Sequence, residues 1–174
     1  FRADLLDLDW DAAASDDDGD ARLHAAVARE LAALRRAAAL PLLFTVRTRN
    51  QGGGFPDDEA RAFALLGVGL RAGVAFVDVE CCWSRAARDA FLSLCAGPPY
   101  FGATRCVASQ HAVQKPLRDY SDAEVDALFD DCATGPRGSV DVVKVVGRAA
   151  SVACSARINA AALRFVARCN GSDG

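Results

Sequence analysis

"VAFVDVE", residues 74–80, is an apolar, β-branched run that turns acidic only at its carboxyl end. A strand with one wet face alternates apolar and polar residues. A near-continuous run instead signals burial on both faces, the habit of a parallel sheet covered by helices. Three other runs read the same way: "PLLFTVRT" (41–48), "TRCVASQH" (104–111) and "VDVVKVVG" (140–147). Between them lie helical stretches. Residues 20–39 place Leu23, Val27, Leu31 and Leu34 on one face. The segment 57–70 follows Pro56 with acids in its first turn, 84–97 ends on Gly97, 121–129 opens with the capping box Ser121…Glu124, and 155–169 closes the series.

The order is therefore strand, helix, strand, repeated. The runs begin at residues 41, 74, 104 and 140, so they recur every 30 to 36 residues. A (β/α)8 barrel spends roughly 31 residues on each unit. The expected fold class is α/β, of (β/α)8 TIM-barrel type and incomplete in this chain. It has about four full βα units, and "FRAD" (1–4) reads as the end of one more strand. A doubly wound sheet is the other arrangement this order allows. With 174 residues, eight units do not fit, and at least three strands are expected to lie outside this sequence.

Hydrophobic residues make up 52% and charged residues 25%, enough for a packed core. The net charge of −3 argues against a nucleic-acid surface. No apolar run approaches the roughly 20 residues that span a bilayer, and there is no signal-peptide pattern, so a cytoplasmic location is expected. Seven cysteines without a CxxC pair fit reduced, buried thiols. "GVGLRA" (67–72) matches a dinucleotide fingerprint, but it falls late in a helix and precedes a strand, so it reads as structural. "SDDDGD" (15–20) lacks the glycine and glutamate of a calcium loop and reads as a solvated loop that caps the next helix.

Strand alternation sorts the chemistry by face. Leu43, Thr45 and Arg47 share a face, as do Phe76, Asp78 and Glu80, Val107, Ser109 and His111, and Val142, Lys144 and Val146. Arg2 and Asp4 fall together on the first fragment. Each face becomes polar toward the carboxyl end, where a parallel barrel keeps its active site. Only Lys115 and Lys144 among the 20 basic residues are lysines. An amine set among valines is expected to be poorly solvated, which favours its neutral, nucleophilic form. Arginine cannot do this, because it does not deprotonate. His111 is the natural proton acceptor and donor. Arg47 and Arg2 can grip a carboxylate or hydroxyls, and Asp78 and Glu80 can tune His111 or hold the arginines. An imine-forming lysine beside a histidine implies aldol cleavage, isomerisation or dehydration next to a carbonyl.

These motifs resemble the type I 3-dehydroquinate dehydratases, and most closely the version within the fungal pentafunctional arom polypeptide. "FRAD" resembles the end of that family's E-[FL]-R-x-D motif, and "PLLFTVRTRNQGGGFPDDEA" (41–60) its P-[LI]-[LI]-F-T-x-R-[ST] stretch. "VDVE", "VASQH" and "DVVKVVG" resemble its D-[LV]-E, [AM]-S-x-H and D-[IV]-x-K-[IL]-V strands. The resemblance implies a (β/α)8 barrel that dehydrates 3-dehydroquinate to 3-dehydroshikimate in the shikimate pathway, with no metal or organic cofactor. It implies Lys144 as the Schiff-base lysine and His111 as the general acid/base. Arg47, Arg2 and Gln51 would bind substrate, supported by Asp78, Glu80, Ser109 and Thr45. It also implies a small-molecule substrate, fusion to other shikimate-pathway domains over a single domain spanning 1–174, and a homodimer. Two departures stand out: Gln51 where many members have glutamate, and Ala112 where the family usually has an aspartate that fixes the histidine tautomer. Two other readings stay open: a ligand-binding domain like that of quinate-pathway repressors, and an unrelated lysine-dependent aldolase barrel. "FTVRTRNQGGG" argues against the latter.

Overall fold

The computed structural model describes residues 19–136 and 139–171. Four parallel strands, β1 (Leu43–Thr45), β2 (Phe76–Glu80), β3 (Arg105–Ala112) and β4 (Val142–Gly147), lie side by side in chain order. Five helices alternate with them: α1 (Gly19–Ala37), α2 (Glu59–Arg71), α3 (Arg85–Cys95), α4 (Asp122–Cys132) and α5 (Val152–Gly171). A doubly wound sheet reverses its direction of travel at a switch point. This sheet never does, so each right-handed crossover lays its helix on the same face, as in a barrel wall. Among the described residues the sheet does not close.

Each helix begins where its sequence provides a cap. Asp58 accepts from the Arg61 amide, Ser84 from the Ala87 amide, and Ser121 and Glu124 form the full reciprocal capping box. The end of α2 is a Schellman turn. Gly73, at φ +68°, bonds the Leu70 carbonyl, and Val74 bonds that of Gly69. The dinucleotide-like "GVGLRA" lies within this helix and its C-cap, as its position implied. Gly69 serves packing: a Cβ there would run into the Phe44 ring of β1.

The core fills the layer between helices and sheet. Leu65, Leu66, Leu70, Val77 and Val79 are almost wholly buried there. Burial on both faces holds for β2, whose Asp78 and Glu80 are as buried as its valines. It does not hold for β4. There Val142 and Val146, the neighbours of Lys144 on its own face, are 42% and 39% exposed. The cause is topological. Among the described residues β4 has a partner on one side only, and a barrel interior is covered only when the strands close on themselves. Five of the seven cysteines are buried free thiols, but Cys82 is half-buried and Cys169 exposed. Arg2, Asp4 and most of the acidic run at 15–20 lie outside the described residues.

Two glycines of α2 give opposite expectations. Gly69→Ala should lower stability by about 1–3 kcal/mol through overpacking on Phe44. Gly67→Ala meets only the flexible end of Arg71, and should be neutral or stabilising by up to about 1 kcal/mol. Urea midpoints of the two variants check both.

Candidate active site

Asp78 is the hub. It lies on β2 with no exposed surface, and its Oδ2 accepts three hydrogen bonds: from Arg47 Nη2 at 2.8 Å, Lys144 Nζ at 2.8 Å and Thr45 Oγ1 at 3.2 Å. Strand parity explains the convergence. Thr45 on β1, Asp78 on β2 and Val107 on β3 are register partners, and Lys144 stands opposite Ser109 and Glu80 one inward position further on. From β4 the lysine side chain reaches across β3 to β2. Burial by itself would push the Asp78 carboxyl up. The contacts from Arg47, Lys144 and Ser109 outweigh burial and hold it below the usual carboxylate range.

Glu80, two residues on and on the same face, takes the other half of Arg47. Nη1 donates to Glu80 Oε1 at 2.5 Å and lies 3.4 Å from Ser109 Oγ. One guanidinium thus spans two carboxylates spaced i, i+2 on one strand, a fork that a lysine could not match. Burial raises the Glu80 pKa, and the hydrogen bonds from Thr48 and the charge of Arg47 offset only part of that. The expectation that the two acids hold an arginine is met in the geometry. The expectation of a lysine walled in by valine is met only in part. Val143 and Val145 belong to the opposite, helix-covered face, and Lys144 is a third exposed and salt-bridged to Asp78. It borders a hollow of about 590 Å³ shared with Leu43, Phe76, Val107 and Val142.

His111 ends the same face, next along β3 after Ser109. Its backbone N–H donates to Gln51 Oε1 at 2.6 Å, so Gln51, 3% exposed, ties the loop after β1 to the histidine strand. Among the described residues, the buried His111 Nδ1 has no hydrogen-bond partner. Burial, then the charges of Arg47 and Lys144, lower the His111 pKa to about 4 against the pull of Asp78. The imidazole is therefore neutral at pH 7 and ready to accept a proton.

The structure thus gathers Thr45, Arg47, Asp78, Glu80, Ser109, Lys144, His111 and Gln51 at the carboxyl ends of the strands. Arg2 is outside the described residues. Sequence reasoning missed Thr48, whose buried hydroxyl donates to Glu80 Oε2 at 2.5 Å, and Cys82, whose Sγ lies 3.8 Å from the same oxygen. Burial and the Glu80 charge push the Cys82 thiol up to about 11. Alternation could not place Thr48, because β1 ends at Thr45 and the chain winds into a 3-10 turn at Arg49–Gln51. The arrangement sets a lysine, a neutral imidazole and a rigidly held guanidinium on one face, groups able to support imine chemistry on a carbonyl compound.

The His111 ring resonance should titrate with a midpoint near 4, and NMR checks it; a midpoint near 6.5 would contradict the geometry. Lys144→Met should raise the midpoint, since it removes one of the cations that oppose protonation. The unfolded chain takes up this proton near 6.5 and the folded one only near 4, so His111 makes stability fall as pH drops through that window.

A family profile described as "Type I 3-dehydroquinase" matches residues 1–170. The Pentafunctional AROM polypeptide of Saccharomyces cerevisiae is 36% identical over 130 residues, which is 71% of this chain and 7% of that polypeptide. That of Candida tropicalis is 36% identical over 129 residues, 72% of this chain and 8% of its own length. This chain therefore spans under a tenth of these curated relatives. Among solved structures, the dehydroquinate dehydratase and shikimate dehydrogenase from S. pombe AroM aligns with a TM-score of 0.66 at 28% identity. It covers 86% of this chain and 26% of its own. A type I 3-dehydroquinate dehydratase from Clostridium difficile shares the fold, with a TM-score of 0.64 at 18% identity over 79% of this chain and 52% of its own. The profile match over nearly the whole sequence settles the family: the chain belongs to the type I 3-dehydroquinases.

Proposed function

We propose that this chain forms part of a 3-dehydroquinate dehydratase, a hydro-lyase that works through a Schiff base on Lys144. The observation that carries this reading is the convergence of Lys144 and Arg47 on buried Asp78, within a member of this family. Residues 1–174 belong to one such domain of a cytoplasmic, homodimeric protein, fused as in the AROM relatives to other shikimate-pathway domains.

The Lys144 ammonium gives up one proton to solvent, and its amine adds to the ring ketone of 3-dehydroquinate; the adduct takes up a proton and expels water, leaving the iminium. The iminium acidifies the neighbouring C2 proton. His111, neutral at pH 7, removes it. The resulting enamine expels the C1 hydroxyl, which takes that proton from His111 and leaves as water. A further water hydrolyses the imine and frees 3-dehydroshikimate and Lys144. Arg47, held by Asp78 and Glu80, binds substrate oxygens, with Arg2 and Gln51 in supporting contact. Ser109 and Thr45 keep the carboxylates in place.

A second reading, a binding domain without turnover, is favoured by one observation. With Ala112 buried and free of any side-chain oxygen, His111 Nδ1 has no partner among the described residues to fix its tautomer. One experiment separates the two. Full-length protein is incubated with 3-dehydroquinate and borohydride and digested for mass spectrometry. The dehydratase reading expects turnover and a reduced adduct on Lys144. Adduct elsewhere, or turnover without adduct, would sink the mechanism, and binding without either would favour the second reading. His111→Ala should abolish dehydration, a loss of at least about 100-fold for a general base, while leaving the Lys144 adduct.

A further inference from the structure

We infer that Thr48 is a positioning residue of this site, acting on substrate through Glu80 and Arg47; the inference rests on the dehydratase reading. Thr48 is fully buried and stands just before the 3-10 turn, at the N-cap position. A threonine there ordinarily turns its hydroxyl onto the turn's free amides. This one makes no such bond. Its hydroxyl donates to Glu80 Oε2 at 2.5 Å and its backbone N–H to Glu80 Oε1 at 3.3 Å, so one residue grips both carboxylate oxygens. Oε1 is the oxygen that carries Arg47 Nη1. Without the hydroxyl, Oε2 would keep, among the described residues, only the weak thiol donor of Cys82 at 3.8 Å.

A proton count extends the chain of contacts. Thr48 Oγ1 also lies 2.8 Å from the Asn50 side-chain oxygen position. A hydroxyl has one proton, and the carboxylate is the stronger acceptor. The proton therefore goes to Glu80, and Asn50, whose side chain also bonds Cys82, packs its oxygen beside Oγ1. The Asn50 backbone is itself pinned, its N–H to Asp57 Oδ1 at 3.0 Å and its carbonyl to Gln114 Nε2 at 3.0 Å. The loop after β1 is thus linked through Asn50, Thr48 and Glu80 to the guanidinium that faces substrate.

The test compares Thr48→Val and Thr48→Ser in the full-length protein. A hydrogen bond to a charged group is at stake, so Thr48→Val should lose about ten- to a hundredfold in kcat/KM for 3-dehydroquinate, with KM raised. Thr48→Ser should recover to within about threefold, and borohydride should still trap Lys144 in Thr48→Val. On a Glu80→Gln background, Thr48→Val should add little further loss, because the two act in series. Wild-type kinetics in Thr48→Val, failure of Ser to rescue, or additive losses in the double variant would overturn the inference. Thermal unfolding is followed alongside. If Val unfolds the protein, Thr48→Ala is read under the same outcomes, and unfolding of both would leave only a structural role and overturn it. Wild-type protein with neither turnover nor adduct would instead remove the dehydratase reading and this inference with it.

Discussion

One buried oxygen, Oδ2 of Asp78, organises the site. A carboxylate with no exposed surface carries a desolvation cost of several kcal/mol unless it is paired. Here the pairing comes from two cations on different elements, Arg47 just beyond β1 and Lys144 on β4. β2 can hold the charge because Val77 and Val79, on its other face, anchor the strand in the helix-covered core. The apolar and polar faces of one five-residue strand therefore depend on each other. The valines fix the strand, and the acids fix what meets on it.

The same cations set the proton chemistry. Their charge helps hold Asp78 ionised, and, together with burial, keeps His111 neutral. Under the proposed mechanism His111 must be unprotonated before it can act as a base, so both shifts suit that reading. Glu80 completes the balance, since it takes Arg47 Nη1 while Arg47 Nη2 shares Asp78 Oδ2 with Lys144. The two acids and two cations offset one another without fixing the imidazole in its charged form.

The fold was legible because a repeat of 30 to 36 residues and near-continuous strands leave few architectures to choose from. All four strands and five helices lie where the patterns put them, with ends shifted by a few residues. Alternation also placed Asp78, Glu80, Ser109 and His111 on one face, because β2 and β3 are regular up to their ends. It misjudged the setting of Lys144. A run of valines looks uniformly apolar on paper, but in a strand it divides between two faces, and the inner one is open at β4. It was silent on the roles of Thr48, Asn50 and Cys82: parity carries two residues past β1 to Arg47, but not into the turns where these three sit. Gln51 was singled out by resemblance, but its bond to the His111 backbone needed coordinates.

The lysine–aspartate pair also acts as a check on assembly. β4 joins the sheet last in chain order, and its side-chain pattern, valine on both faces, does little to specify alignment. A slip of one residue against β3 would turn every β4 side chain to the opposite face. For the valines that exchange costs little. For Lys144 it would exchange a carboxylate partner for the apolar seam of Val125, Phe129 and Ala161. Lys144 thus proofreads the alignment from the middle of the strand, as Asp141, bonded to the Cys106 N–H, does from its start, so misaligned chains are disfavoured.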